Sequence, residues 1–152
     1  MEFFLVRHGE AEHESEDARR PLSSRGRDDV ETVARAAAAQ DIEVAAILHS
    51  DKLRARETAE IFARVAAPKC TVREIAGLAP EDDPEIARAE LEAAEAPVML
   101  VGHLPHLARL ASLLLTGDSQ RQTIEFTTAT VVCLTWSANC WKFAWSLSPE
   151  EL

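Results

Sequence analysis

An α/β fold is predicted by this sequence: a three-layer α/β/α sandwich with a mostly parallel sheet and a C-terminal antiparallel hairpin. Three observations predict it. Short apolar runs alternate with longer stretches whose apolar residues recur at helical spacing. The runs EFFLV, VAAIL and VMLV show little polar alternation, the pattern of strands covered on both faces. Near the C-terminus the helical period gives way to two strand-like runs separated by Ser137-Ala138-Asn139.

In chain order, residues 2–7 read as a strand, followed by a polar loop from Glu10 to Pro21. Ser23 or Ser24 caps a helix to about Ala39, with Val30, Val33 and Ala37 on one face. Residues 44–48 are a short buried strand. A helix from about Asp51 to Ala67 follows, turning Ile61, Phe62 and Val65 inward, and residues 70–75 alternate as a strand. Asp83-Pro84 reads as an N-cap with proline at the first helical position, opening a helix to about Glu95. Residues 98–101 are another apolar strand. A helix from about Pro105 to Leu115 ends at Gly117, a C-cap. Residues 123–135 and 141–147 complete the hairpin.

The length of 152 residues suits one domain spanning 1–152. Sixteen Lys and Arg against 26 Asp and Glu give a net charge of −10, which disfavours nucleic acid and anionic membranes as partners. A site for an anion must therefore concentrate positive charge locally. Cys70, Cys133 and Cys140 are odd in number and form no CxxC pair, so free, mostly packed thiols in a reducing compartment are expected. Glu2 and Arg7 interrupt the apolar start, and Arg109 interrupts the longest apolar helix, so neither a signal peptide nor a membrane span is expected. The expected location is cytoplasmic.

The chemistry collects at strand ends. The first strand ends Arg7-His8-Gly9. The second ends His49-Ser50, with Arg54 in the next helix's first turn. The 98–101 strand ends Gly102-His103. In a parallel sheet these ends share one edge, where ligand crevices form. Two imidazoles, His8 and His103, and two guanidiniums, Arg7 and Arg54, would then converge. Arginine forks grip the oxygens of a phosphoryl group, and a histidine kept neutral by neighbouring cations is a nucleophile. Gly9, without a side chain, would let the backbone approach a ligand.

LVRHGEAE (5–12), RPLSSRG (20–26), SDKLRARET (50–58) and VGHLPHL (101–107), in this order, resemble the histidine phosphatase superfamily, the phosphoglycerate mutase-like fold. More closely they resemble its SixA-type phosphohistidine phosphatases, a likeness extended by EFTTATV and WSLSP near the end. The resemblance implies that His8 attacks phosphorus and is transiently phosphorylated. It implies that Arg7 and Arg54 clamp the phosphoryl oxygens, that His103 also holds the group, and that Arg20 contacts substrate. It implies no metal or other cofactor. The implied partner is a phosphohistidine-bearing protein, a carrier or signalling domain, met by a monomer.

One departure bears on the substrate. The superfamily's proton donor lies in a Glu-containing motif after the third strand, and EIAGLAPEDDP does not match it, although Glu81, Asp82 or Asp83 could fill the role. Phosphohistidine expels imidazole, of reference pKa about 6.5, and depends less on a built-in acid than an alkyl ester does. With about 20 residues between the third and fourth strands, an open site suited to a protein side chain is expected. A small-molecule phosphomonoesterase, a mutase and a non-catalytic phosphoprotein-binding module are the alternatives. His106, three residues after His103, also raises a zinc reading, but no further ligands cluster with the pair in sequence.

Overall fold

The apolar runs of the sequence pair into one six-stranded sheet, in a computed structural model that describes residues 1–152. The strands are β1 (Glu2–Arg7), β2 (Ala46–His49), β3 (Thr71–Glu74), β4 (Val98–Gly102), β5 (Val131–Ser137) and β6 (Cys140–Leu147). Their order across the sheet is β3-β2-β4-β1-β5-β6. β1 to β4 are mutually parallel; β5 runs antiparallel to both β1 and β6.

Alternate residues of the central strands face opposite layers, as the two-residue repeat of a strand requires. Phe4, Val6, Ile47, Met99 and Val101 pack against α1 (Ser24–Ala38) and α2 (Leu53–Ala66). Phe3, Leu5, Leu48 and Leu100 pack against α3 (Pro84–Ala93) and α4 (His106–Thr116). This is the expected three-layer sandwich. Because Phe3–Val6 of β1 and all of β4 are buried on both faces, these stretches are apolar until the carboxyl end, where the chain turns polar.

The caps follow the sequence closely. The hydroxyl of Ser23 accepts from the Gly26 N–H at the start of α1, and the Asp83 carboxylate accepts from Glu85 N–H, with Pro84 at the first position of α3. Gly117 closes α4 with φ of 80°, a left-handed conformation that glycine adopts without strain.

Three expectations need correction. The second strand is Ala46–His49 rather than 44–48, so His49 lies within the strand. The fifth strand begins at Val131 rather than 123. Residues before it spend their backbone groups elsewhere: Ala129, at φ of 64°, donates to the carbonyls of both Arg7 and His8, and Thr130 N–H closes a turn onto Thr127. Cys140 is exposed rather than packed; Cys133 is buried and Cys70 half-buried, and all three are free.

The final hairpin turns on two residues, Ala138 and Asn139, both at positive φ, the geometry of a tight turn matched to strand twist. Its tryptophans pack rather than present a flat platform. Trp141 lies 4.8 Å from Trp136 and 5.3 Å from Phe3 between ring centres, and Trp145 covers Phe4. No helix is long and apolar enough to cross a membrane.

Candidate active site

The carboxyl ends of β1, β2 and β4 meet because the strands are adjacent and parallel. His8 N–H donates to Gly102 O at 3.0 Å, and Ser50 N–H to Val101 O at 3.4 Å. His8 and His103, far apart in sequence, face each other with ring centres 4.9 Å apart. Both are nearly inaccessible to solvent.

The His8 ring is fixed by its neighbour. Nδ1 lies 2.7 Å from the carbonyl oxygen of Gly9. A carbonyl can only accept, so Nδ1 carries the proton and Nε2 keeps its lone pair when the ring is neutral. Burial, opposed by that Gly9 hydrogen bond and reinforced by Arg54, Arg7 and Arg20, pushes the His8 pKa down to about 4. Burial, then His8 and Arg54, push that of His103 down to about 3. Both imidazoles are therefore neutral at neutral pH.

Three guanidiniums surround the pair. Arg7 donates from Nη1 to Phe126 O at 2.8 Å, which orients its fork from the segment before β5. Arg54 stands in the first turn of α2. Arg20, at φ of 49°, donates from Nε to Glu12 O. None of the three takes part in any of the eleven ion pairs, although the chain carries 26 carboxylates. Arg54 is pressed below its usual pKa by burial and then by Arg20. Positive charge held together without partners stabilises a bound anion.

Four further residues support the site, in roles that the fold defines. Thr58, wholly buried in α2, accepts from Gly9 N–H at 3.1 Å and donates to Arg54 O at 2.8 Å, tying the loop after His8 to the helix that carries Arg54. Ser50 Oγ lies 2.6 Å from His103 Nε2. Glu57 accepts from Leu22 N–H at 2.8 Å and pairs with Arg27, pinning the segment after Arg20 to α2. Glu12, unassigned from sequence, holds Arg20 through its backbone carbonyl. The spacing RARET, with Thr58 one helical turn after Arg54, was the available sign for Thr58.

Gly9 also has a packing role. A Cβ there would lie 2.6 Å from Val30 Cγ2 and 3.0 Å from Gly26 O, so the missing side chain makes room for α1. Gly26 is tighter still: a Cβ would lie 2.0 Å from Glu10 O. The two glycines of the first two motifs let helix and loop touch.

The acidic loop before α3 is occupied with its own structure. Asp82 accepts from Ala79 N–H, Asp83 caps α3, and Glu81 lies 3.3 Å from Arg109. His106, three residues after His103, is fully buried, with neither ring nitrogen hydrogen-bonded.

Beside the site runs a groove of about 420 Å³ bordered by Arg20 and Arg54 and continuing to Arg19 and Lys52. On the Ser50 side lies a second, of about 250 Å³, holding Asp51, Glu74 and Asp82.

Neutral imidazoles inside a cluster of unpaired guanidiniums, at the carboxyl edge of a parallel sheet, define a phosphoryl-transfer enzyme as the class of protein. Residues 3–79 match the model of the histidine phosphatase superfamily (branch 1), and the chain belongs to that family; it is a phosphatase, and so a hydrolase. The phosphohistidine phosphatase SixA of Escherichia coli (strain K12) is 28% identical over 158 aligned residues, covering 100% of this chain and 96% of that protein. An uncharacterised protein of Picosynechococcus sp. is 35% identical, covering 78% of this chain and 76% of its own. A solved structure of the protein histidine phosphatase SixA complexed with tungstate superposes with a TM-score of 0.89 at 28% identity, covering 99% of both chains.

Proposed function

We propose that residues 1–152 form one histidine phosphatase domain that dephosphorylates phosphohistidine on another protein, through a phosphohistidine intermediate on His8. The carrying observation is the His8 ring: Nδ1 is committed to Gly9 O, which leaves Nε2 as a nucleophile beside three unpaired guanidiniums. The full-length similarity to SixA, and that relative's structure with tungstate, a tetrahedral oxyanion, support the same reading.

In the first half-reaction His8 Nε2 attacks phosphorus in line with the substrate's P–N bond. Arg7 and Arg54 neutralise the equatorial oxygens, with Arg20 and His103 as further contacts, and need no metal ion to do so. The P–N bond breaks and the substrate imidazole leaves, taking a proton from solvent. In the second half-reaction water attacks the phosphorylated His8, releasing phosphate and restoring the neutral ring. The carboxylates before α3 are engaged in capping and loop contacts, which favours a leaving group that needs no built-in acid. A monomer in the cytoplasm fits this reading.

The test is to trap the intermediate. Wild-type protein is mixed with a labelled phosphohistidine protein and, separately, with sugar phosphates, quenched in alkali, and the label is mapped. Label on His8, its absence in His8→Ala, and preference for the phosphohistidine protein are the expected results. Full activity in His8→Ala overturns the proposal, and better turnover of sugar phosphates converts it to a phosphomonoesterase.

A further inference from the structure

The charge around the site is lopsided. On one side, the groove bordered by Arg20 and Arg54 adds Arg19 and Lys52, four cations against the carboxylates of Glu14 and Asp51. On the other, the groove beside Ser50 carries Asp51, Glu74 and Asp82 and no cation. In a chain of net charge −10 the acidic groove is ordinary, and the basic one is not.

The basic groove is also available. Arg20 has only a backbone partner, Glu12 O, and Arg54 has no carboxylate partner. Lys52 is 3.8 Å from Asp51, a loose pair with the lysine side chain 42% exposed. Arg19 is paired with Asp17 at 2.9 Å yet 76% exposed, so part of its fork is free. The walls come from two fixed elements. The loop from Glu10 to Pro21 is closed by a bridge between Ala11 and Leu22, and α2 is anchored to it by Glu57. The groove therefore exists before any partner arrives.

Resting on the reading that the substrate is a phosphorylated side chain of another protein, we propose that the Arg19–Lys52 groove docks an acidic segment flanking the phosphohistidine, while the Asp51–Glu74–Asp82 groove excludes one. The partner thus carries carboxylates on one side of its phosphohistidine and none on the other, and the two grooves fix which way round it enters. At physiological salt, charges beyond about 8 Å are largely screened, so these local groups outweigh the overall negative charge of the enzyme.

Two synthetic phosphohistidine peptides test this: three glutamates before and three lysines after the phosphohistidine, and the reverse. Their net charge is the same, so the field of the whole protein does not distinguish them. Phosphoramidate, which carries no flanking residues, is the control for the chemistry. One peptide polarity is expected to exceed the other in kcat/KM by roughly tenfold, the sum of several exposed ion pairs each worth little. In Lys52→Glu and Arg19→Glu that ratio falls towards one, while phosphoramidate turnover stays within twofold in Arg19→Glu. A wild-type ratio below threefold, or a ratio that survives both substitutions, overturns the proposal. Turnover of phosphoramidate with neither peptide accepted also overturns it. If neither the peptides nor phosphoramidate is turned over, the failure lies with the phosphohistidine reading itself.

Discussion

The hydroxyl of Ser50 lies 2.6 Å from Nε2 of His103, joining the end of β2 to the end of β4 inside the protein. The contact orients the ring that faces His8. Ser50→Ala is expected to lower kcat/KM roughly tenfold to a hundredfold, as loss of the partner that orients a functional histidine typically does. In a His103→Ala background the same change should cost little. Steady-state kinetics of the two single variants and the double variant decide it; additive losses would show that Ser50 acts independently of His103.

Thr58 is the corresponding tie between Gly9 and Arg54. Thr58→Val keeps the shape but leaves the Gly9 N–H buried without an acceptor, which costs about 1–3 kcal/mol. Denaturant unfolding should show that loss. Thr58→Ser, which keeps the hydroxyl, should recover most of it, and kcat should follow the same order. Equal stability of the valine and wild-type proteins would remove the role.

Arg7 and Arg54 supply the charge in this reading. Replacing either with alanine should cost about 3–4 kcal/mol of transition-state stabilisation, a hundredfold or more in kcat/KM. Vanadate, which mimics five-coordinate phosphorus, should inhibit the wild-type protein and lose affinity in both variants. A loss below tenfold in kcat/KM would contradict the clamp.

The pH dependence follows from the depressed histidines. His8 titrates near 4 in the folded chain against an ordinary value of 6.5, held down chiefly by burial, so the acid limb of kcat/KM should lie well below pH 6. The stability effect has a definite sign. Between about pH 6.5 and 4 the unfolded chain binds the proton that folded His8 does not, so stability is fullest above 6.5 and falls as pH is lowered through that window. His103, near 3, extends the loss further down. Chemical denaturation of wild type and His8→Gln at pH 7 and pH 5 should show a smaller pH penalty in the variant.

Gly26→Ala should destabilise the fold by about 1–3 kcal/mol, the usual cost of overpacking, because its Cβ would meet Glu10 O at 2.0 Å, a backbone atom that cannot swing aside. Thermal unfolding measures it, and an unchanged Tm would contradict the close approach.

Much of this was legible in the chain. The apolar runs of β1 and β4 announced strands buried on both faces, and their polar endings put His8 and His103 at one edge. Ser23, Asp83-Pro84 and Gly117 announced their caps, because capping is a local matter of one side chain and the next turn. Residues 123–130 misled for the opposite reason. Their pattern permits a strand, but Phe126 O, Ala129 N–H and Thr130 O are bonded to Arg7 and His8, distant in sequence. The packing role of Gly9 was hidden for the same reason, since what fills the space beside it belongs to α1.

By itself the sequence determined the alternation of layers, the strand-end histidines and arginines, and the four motifs that mark a histidine phosphatase. These depend on residue type and spacing along the chain. The tertiary structure alone decided which ring nitrogen of His8 is free, that Arg7, Arg20 and Arg54 stand without carboxylate partners, and that Ser50 and Thr58 brace the site. Each of those depends on groups brought together from distant parts of the chain, and a hydrogen bond or an unpaired charge is defined only by what lies within a few ångströms of it.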